Sequence, residues 1–275
     1  MKFGIIKERK TPPDRRVVFS PSELLLVKNQ FPNAEFKVES SDIRVFTDAE
    51  YINSGIEVSE NMDDCDVLLG VKEVPVEALI PNKKYFFFSH TIKKQTYNRD
   101  LLQACIDKNI ELYDHETVVD ANNTRLIGFG RYAGIVGAYN GIRAFGLKFE
   151  IFNLPKAETL TNQAALITQL KKTFLPPIKI VLSGKGKVAF GAKEMLDGMK
   201  IKEVSVSDYL SKTYTYPVYT MIDVQDYNSD MSGVAFNKSK FYSNPEHFIS
   251  NFERFATVSD IFMACLLYTS DAADE

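Results

Sequence analysis

Lys72 and His90 are the side chains of this sequence best suited to acid/base chemistry. Lys72 closes the run Asp66-Val67-Leu68-Leu69-Gly70-Val71, just ahead of Glu73-Val74-Pro75, and His90 closes Tyr85-Phe86-Phe87-Phe88-Ser89 in the same way. Each run reads as a buried strand, so two ionisable groups stand at the carboxyl ends of two strands, where an open α/β sheet binds its ligands. Histidine exchanges protons near neutral pH, and a lysine set above a low-dielectric wall is suited to the same work. A surface lysine and a helix-capping histidine are the plainer readings of the same positions. Arg16, with Arg15 beside it, follows the first apolar run in a basic stretch, Lys7 to Val17. A guanidinium there can grip a carboxylate through two parallel hydrogen bonds, or it can belong to a solvated loop.

Two segments match the pattern G-x-G-x-x-[GA], Gly128-Phe129-Gly130-Arg131-Tyr132-Ala133 and Gly184-Lys185-Gly186-Lys187-Val188-Ala189. A match alone is weak, and context separates the two. The second follows an unbroken apolar strand, opens a helix of ordinary length, and is followed by a β-branched stretch ending at Ser207-Asp208. Backbone amides at that helix start would cradle a pyrophosphate, and Asp208, 24 residues past Gly184, would hold the adenosine ribose hydroxyls. Gly184, Lys185, Gly186, Lys187, Val188, Ala189 and Asp208 are therefore the expected cofactor-binding residues, for NAD or NADP. The lysines favour a 2′-phosphate and Asp208 opposes it. The first match leads into an overlong helix with no acid behind it and is read as structural. Arg131 and Tyr132 there are candidates to face a ligand, and Arg131 joins Arg16 as a substrate-binding candidate.

The elements that must position these residues alternate between short apolar runs and helical patterns, which predicts an α/β fold of two doubly wound, Rossmann-like parallel-sheet domains. Strands are predicted at Phe3-Ile6, Glu35-Glu39, Val67-Val71, Tyr85-Ser89 and Glu111-Tyr113, with helices at Pro21-Phe31, Asp48-Ser54 and about Ile92-Lys108. A long helix, Arg131 to Lys148, carries Gly134, Gly137 or Ala138, and Gly141 on one face. Each glycine costs a helix about 1 kcal/mol, so their grouping predicts close packing against another helix or the second domain. A helix at Leu160-Phe174 precedes the strand Ile178-Leu182, the glycine loop, a helix to Gly198 and a strand Glu203-Val206. Asp223-Lys238 reads as loop, Pro245-Phe255 as helix and Ile261-Leu267 as strand.

Composition narrows the function. The chain has 275 residues, 45% apolar and 25% charged, and its 33 basic and 36 acidic side chains leave a net charge of -3. No basic footprint for nucleic acid or an anionic membrane is present, and no apolar run reaches the ~20 residues of a membrane span. Three cysteines and three histidines without ligand spacing argue against a disulfide framework or a metal site and for a reducing cytoplasm. Small-molecule substrates are the expected partners. The end, Cys265 to Glu275, resembles a translated transposase sequencing adapter, a natural acidic tail being the alternative. On the adapter reading the native sequence stops near Ala264, and the second domain is truncated.

Together these motifs identify a resemblance. Gly4-Ile5-Ile6-Lys7-Glu8, Arg16-Val17, Asp66 to Glu73 and Ser89-His90 resemble the amino-terminal motifs of the alanine dehydrogenase, transhydrogenase and saccharopine dehydrogenase superfamily, in order and spacing, from Met1 to about Ala264. Phe87 to Lys93, Gly128 to Gly134, Ser183 to Val188 and Gly191-Ala192-Lys193-Glu194 are most similar to the lysine-2-oxoglutarate reductase/saccharopine dehydrogenase branch. The resemblance implies a catalytic domain over 1–130 and an interdomain helix and incomplete NAD(P)-binding domain over 131–264; it leaves the assembly of the full protein open, a homo-oligomer being one of the states compatible with it. It also implies that Lys72 and His90 are the acid/base pair and that Arg16 binds a substrate carboxylate. The implied reaction joins lysine and 2-oxoglutarate as an imine reduced by NAD(P)H to saccharopine, or runs in reverse. An alanine dehydrogenase acting on pyruvate and ammonia, a transhydrogenase-type nucleotide subunit, and a non-catalytic amino-acid or nucleotide sensor on the same fold are the alternatives. Ala189 stands where the fingerprint has its third glycine. The further acidic residue used by alanine dehydrogenases would lie beyond the cut.

Overall fold

The computed structural model describes residues 1–265; the adapter-like residues 266–275 lie outside the described part, as does the end of the strand predicted at Ile261-Leu267. The chain divides into two compact units, Met1–Gly128 and Phe129–Glu275, two residues before the predicted boundary. Among the described residues no helix is long and apolar enough to cross a membrane.

The first unit contains β1 (Lys2–Ile5), α1 (Pro21–Gln30), β2 (Glu35–Glu39), α2 (Asp48–Asn53), β3 (Glu57–Ser59), β4 (Val67–Leu69), β5 (Lys84–Phe87), α3 (Arg99–Asp107) and β6 (Glu111–Asp114). The two short helices start where the sequence supplies a stop for their orphan N–H groups: Ser20 with Glu23, and Thr47 with Glu50, each form a capping box. All strand pairs are parallel, in the order β3-β2-β1-β4-β5-β6. One face of the sheet is covered by a cluster of Ile5, Leu24, Val38, Tyr51 and Ile56. The other carries Leu68, Tyr85, Phe87, Leu101 and Cys105. The chain reverses direction across the sheet between β1 and β4, so the crevice opens at their carboxyl ends.

The helix predicted over Ile92-Lys108 is two 3-10 turns, Thr91–Lys93 and Thr96–Asn98, followed by α3. His90 and Lys94 both take left-handed backbone angles, φ +55°, which no continuous right-handed helix accommodates.

The second unit contains α4 (Gly130–Lys148), α5 (Gln163–Leu170), β7 (Lys179–Ser183), α6 (Lys187–Gly198), β8 (Lys202–Glu203), α7 (Val206–Ser211), β9 (Val218–Ile222), α8 (Val224–Tyr227), β10 (Asn228–Asp230), α9 (Lys238–Ser243), β11 (Phe248–Ser250), α10 (Glu253–Ala256) and β12 (Ile261–Ala264). A parallel sheet runs β12-β7-β9-β8, and β10 and β11 form a separate antiparallel pair. Four predictions are corrected here. The strand at Glu203-Val206 stops at Glu203, because Ser205 accepts the Asp208 N–H and starts α7. The segment Pro245-Phe255 is a 3-10 turn, β11 and α10, and Asp223-Lys238 holds α8 and β10 where loop was predicted. The helix at Leu160-Phe174 shrinks to α5, opened by Asn162, whose side chain accepts the Ala165 N–H.

The glycines of α4 meet another helix, α6. A Cβ on Gly134 would stand 1.9 Å from the Val188 carbonyl oxygen, and one on Gly191 would stand 2.0 Å from that of Arg131. The two backbones are in van der Waals contact, so neither position has room for a methyl group. Gly134→Ala and Gly191→Ala should each destabilise the second unit by roughly 2–4 kcal/mol, since rigid backbone is what must give way. Gly137→Ala, with nothing within 4 Å of its Cβ position, should instead stabilise by up to about 1 kcal/mol. Urea unfolding of the three variants checks this, and indistinguishable midpoints would refute the contact.

Candidate functional site

In the first unit the site begins where β1 and β4 end. Glu8 is buried, and its carboxylate accepts the N–H of Val71 at 2.7 Å and of Lys72 at 2.9 Å. These are the first N–H groups past β4 that the sheet does not pair, so Glu8 fixes the backbone that carries Lys72. Lys72 is 5% exposed and His90 6%. The parallel register of β4 and β5 continues past the strands, with the Phe88 N–H donating to the Val71 carbonyl at 3.0 Å. Lys72 and His90 thus leave neighbouring strands almost abreast.

Arg16 comes to the same end of the sheet on the loop after β1. Asp14 accepts its backbone N–H at 3.0 Å and its Nε at 2.9 Å, and a further contact reaches Nη2. The loop itself is tied down by hydrogen bonds from the Arg15 side chain to the Ile43 carbonyl and from the Val45 N–H to the Arg15 carbonyl. Burial opposes ionisation of Asp14, but hydrogen bonds from Arg16, with its charge and that of Lys72, hold the carboxyl below its usual range. Burial acts in the same direction on Glu8, and there it wins. It pushes that carboxyl from 4.5 up to about 7, against the two N–H donors that favour its charged form. Glu8, Asp14, Arg16 and Lys72 therefore form one cluster of two acids and two bases around the crevice.

His90 is held on every side. Its Nδ1 donates to Glu116 at 3.1 Å, which sets the tautomer, and Glu116 is also within 3.8 Å of Lys93 and 3.4 Å of Arg125. The preceding residue, Ser89, is fully buried and donates through Oγ to Asp114 at 2.6 Å. That anchor lets the chain enter the left-handed region at His90, a conformation that costs a non-glycine residue about 1–3 kcal/mol. His115 packs beneath, edge-on to Phe88, with Nε2 donating to the Gly70 carbonyl at 3.1 Å; burial, against that hydrogen bond, lowers its pKa. Glu8, Asp14 and Glu116 were not singled out from sequence. Glu8 was visible in the Lys7-Glu8 motif, whereas Glu116 carries no local signal.

In the second unit, Gly184 (φ +98°) needs its glycine, and Gly186 is the N-cap of α6 with nothing within 4 Å of its Cβ position. That open cradle at the first turn of α6, at the carboxyl end of β7, fits a pyrophosphate. β7 lies between β9 and β12, the point at which the sheet changes direction. Lys187 and Val188 form the first turn, and Ala189, fully buried, packs in the core. Arg131 is engaged differently from expectation: its guanidinium makes a two-pronged pair with Glu194 at 2.7 and 2.6 Å and reaches Gln163 at 3.2 Å. It pins α4 to α6. Asp208 does not end a strand. It sits in the first turn of α7 with Lys212 at 2.9 Å, because Ser205 caps a helix there. Cys265 prolongs β12, donating its N–H to the Ser183 carbonyl at 3.2 Å, and burial pushes its thiol up to about 11.

A parallel sheet with a crevice at the carboxyl ends of β1 and β4, followed in the chain by a second parallel sheet with a glycine loop, defines a two-unit Rossmann-like α/β protein. Residues 4–136 match the family model described as alanine dehydrogenase/PNT, N-terminal domain. The chain is 27% identical to the alpha-aminoadipic semialdehyde synthase of Arabidopsis thaliana over 96% of its own length and 29% of that protein. It is 27% identical to the mitochondrial alpha-aminoadipic semialdehyde synthase of Bos taurus, over 92% of this chain and 29% of that one. Against the NAD(+)-dependent, L-lysine-forming saccharopine dehydrogenase of Yarrowia lipolytica the identity is 27%, over 62% of this chain and 51% of the other. The chain is thus similar to these proteins, and its similarity to the alanine dehydrogenase/PNT N-terminal domain lies in residues 4–136. It spans under a third of the length of the two synthases. Among solved structures, an L-alanine dehydrogenase superposes with a TM-score of 0.52 at 16% identity, covering 80% of this chain and 60% of that one. A transhydrogenase from Sinorhizobium meliloti gives 0.50 at 14% identity, covering 82% and 70%. These two establish a shared Rossmann-like fold.

The raised carboxyl of Glu8 has a consequence for stability. A group that binds its proton more tightly folded than unfolded leaves stability untouched below 4.5 and reduces it as pH rises toward about 7. Relative to Glu8→Gln, the wild type should therefore lose stability between pH 4.5 and 7 and show a constant offset above it. Denaturant unfolding of both proteins at several pH values measures the difference. Parallel curves across that window would show that Glu8 is not the titrating group.

Proposed function

We propose that the chain is the catalytic and nucleotide-binding part of an NAD(P)-dependent oxidoreductase that forms or cleaves saccharopine. In the forming direction lysine, 2-oxoglutarate, NAD(P)H and a proton give saccharopine, NAD(P)+ and water. The observation that carries the proposal is the buried Lys72/His90 pair, delivered by adjacent strands and fixed by Glu8 and Glu116. The names of the homologues support this substrate class.

The residues divide the work. Arg16, oriented by Asp14, takes a substrate carboxylate. Lys72 and His90 remove a proton from the ε-ammonium so that the amine can attack the ketone, then return one to the carbinolamine hydroxyl as it leaves as water. The low-dielectric floor of the crevice keeps bulk water from the imine that results. In the second unit Gly184 and Gly186 admit the pyrophosphate to the N-terminus of α6, with Lys185 and Lys187 adding positive charge. When bound, the nicotinamide supplies the hydride.

In the protein that carries this chain, Lys72→Met should lower kcat by roughly 10²-fold or more with nicotinamide binding little changed. His90→Gln should do the same and remove one limb of the pH profile. Turnover near wild type in both would sink the acid/base assignment, and oxidation of NAD(P)H with pyruvate and ammonia but not with lysine and 2-oxoglutarate would replace the substrate. Separately, Gly186→Val should abolish NADH and NADPH binding in a fluorescence titration, because the side chain fills the phosphate cradle.

A further inference from the structure

The order of strands in the second sheet bears on which residue meets the adenosine ribose. In a doubly wound sheet the ribose extends from the glycine loop across the strand next to the one that feeds it, and an acid at the carboxyl end of that neighbour accepts its hydroxyls. β7 is flanked by β12, across the point where the sheet changes direction, and on its other side by β9, with β8 outermost beyond β9; on the side away from that point the neighbour is therefore β9, not β8. β9 pairs with β7 from Lys179↔Val218 to Ser183↔Ile222, and the Gly184 N–H donates to the Ile222 carbonyl at 2.8 Å. Asp223 is therefore the residue abreast of Gly184.

Its side chain is 19% exposed, with Oδ1 accepting the Val224 N–H at 2.8 Å and Oδ2 facing Lys238 Nζ at 3.1 Å. Burial disfavours its charge, but the Val224 N–H, the Lys238 pair and the positive charge of Lys185 outweigh that and hold it ionised. Lys238 is on the first turn of α9 with 54% of its side chain exposed, so it can turn into solvent without breaking the core. Asp208, by contrast, follows the far edge strand and is committed to Lys212.

We propose that Asp223, with Lys238 as its resident counter-ion, selects the cofactor: its carboxylate accepts the 2′- and 3′-hydroxyls of an unphosphorylated adenosine ribose and repels a 2′-phosphate, so that the chain takes NAD(H) in preference to NADP(H). The proposal rests on the reading of Gly184–Ala189 as the nucleotide loop. A half-buried carboxylate and a phosphate brought together in this crevice are like charges with little water between them, which is costly. Without the carboxylate the same position becomes basic, because Lys238 and Lys185 remain.

The test is a fluorescence titration of the intact chain with NADH and with NADPH. Wild type should bind NADH more tightly. Asp223→Ser keeps a side chain able to cap α8 and should move the ratio of the two dissociation constants toward NADPH by about tenfold or more, the scale of a lost charge-assisted hydrogen bond. Asp223→Asn, closer in shape, should move it in the same direction, and thermal melting of both variants reports whether the fold is kept. Adding Lys238→Ala to Asp223→Ser should take back part of the gain in NADPH affinity. A wild type that prefers NADPH overturns the proposal, as does an unchanged ratio in both Asp223 variants while NADH binding persists, or a shift produced by Asp208→Ser instead. Binding of neither nucleotide by wild type, or binding unaffected by Gly186→Val, overturns the nucleotide loop itself and this proposal with it.

Discussion

The Glu8 carboxylate, withdrawn from water at the reversal point of the first sheet, holds the Val71 and Lys72 N–H groups that no strand partner reaches. Much else follows from that one contact. Two buried donors left unpaired would cost on the order of 1–3 kcal/mol each, so the end of β4 has little freedom to drift from the end of β1. The charge that makes Glu8 a good acceptor is also what burial resists; the Val71 and Lys72 N–H groups and the Arg16 charge offset that resistance, while the nearby Asp14 carboxylate adds to it. A partly buried cluster of this kind, with the Arg16 side chain at its exposed edge, adds little net stability. Its value is positional, since it presents a lysine on a fixed backbone.

His90 shows the same trade in a different form. Its backbone occupies a region that disfavours side chains, and the surrounding structure supplies the compensation: a buried Ser89 bonded to Asp114, and Glu116 fixing the ring. The 3-10 turns that follow, in place of a regular helix, are the visible cost of turning the chain at the histidine.

The second unit uses one glycine pattern for two physical purposes. At Gly134, facing Gly191 of α6, the missing side chains let α4 lie directly on the backbone of α6; at Gly184 and Gly186 they leave a turn and an open space at the start of α6. Arg131 belongs to the first purpose, because Glu194 meets its guanidinium with both oxygens and fixes one helix to the other. Pattern matching cannot tell these apart. What separates them is whether the space beside the glycine is filled.

Much of this was legible along the chain. Apolar runs mark β4, β5 and β7, the inner strands of their sheets, whereas β2 (Glu35–Glu39) alternates polar and apolar residues, and the ionisable group that ends a run marks the carboxyl end of its strand. Capping residues likewise locate α1 and α2, since the orphan N–H groups they satisfy are within three residues. Lys72, His90 and Arg16 could therefore be named and placed at strand ends from sequence. Glu116, Asp14 and Asp223 could not. β9 is not among the predicted strands, although Val218-Tyr219-Thr220-Met221-Ile222 is an apolar, β-rich run, because it follows a turn-rich stretch and its pairing partners lie far away in sequence. Which strand lies beside β7, which acid reaches His90 and which glycine is covered are decided by pairings between residues far apart in sequence. Local propensity is blind to them, and only the folded chain, in which hydrogen bonds and packing choose among distant partners, settles them.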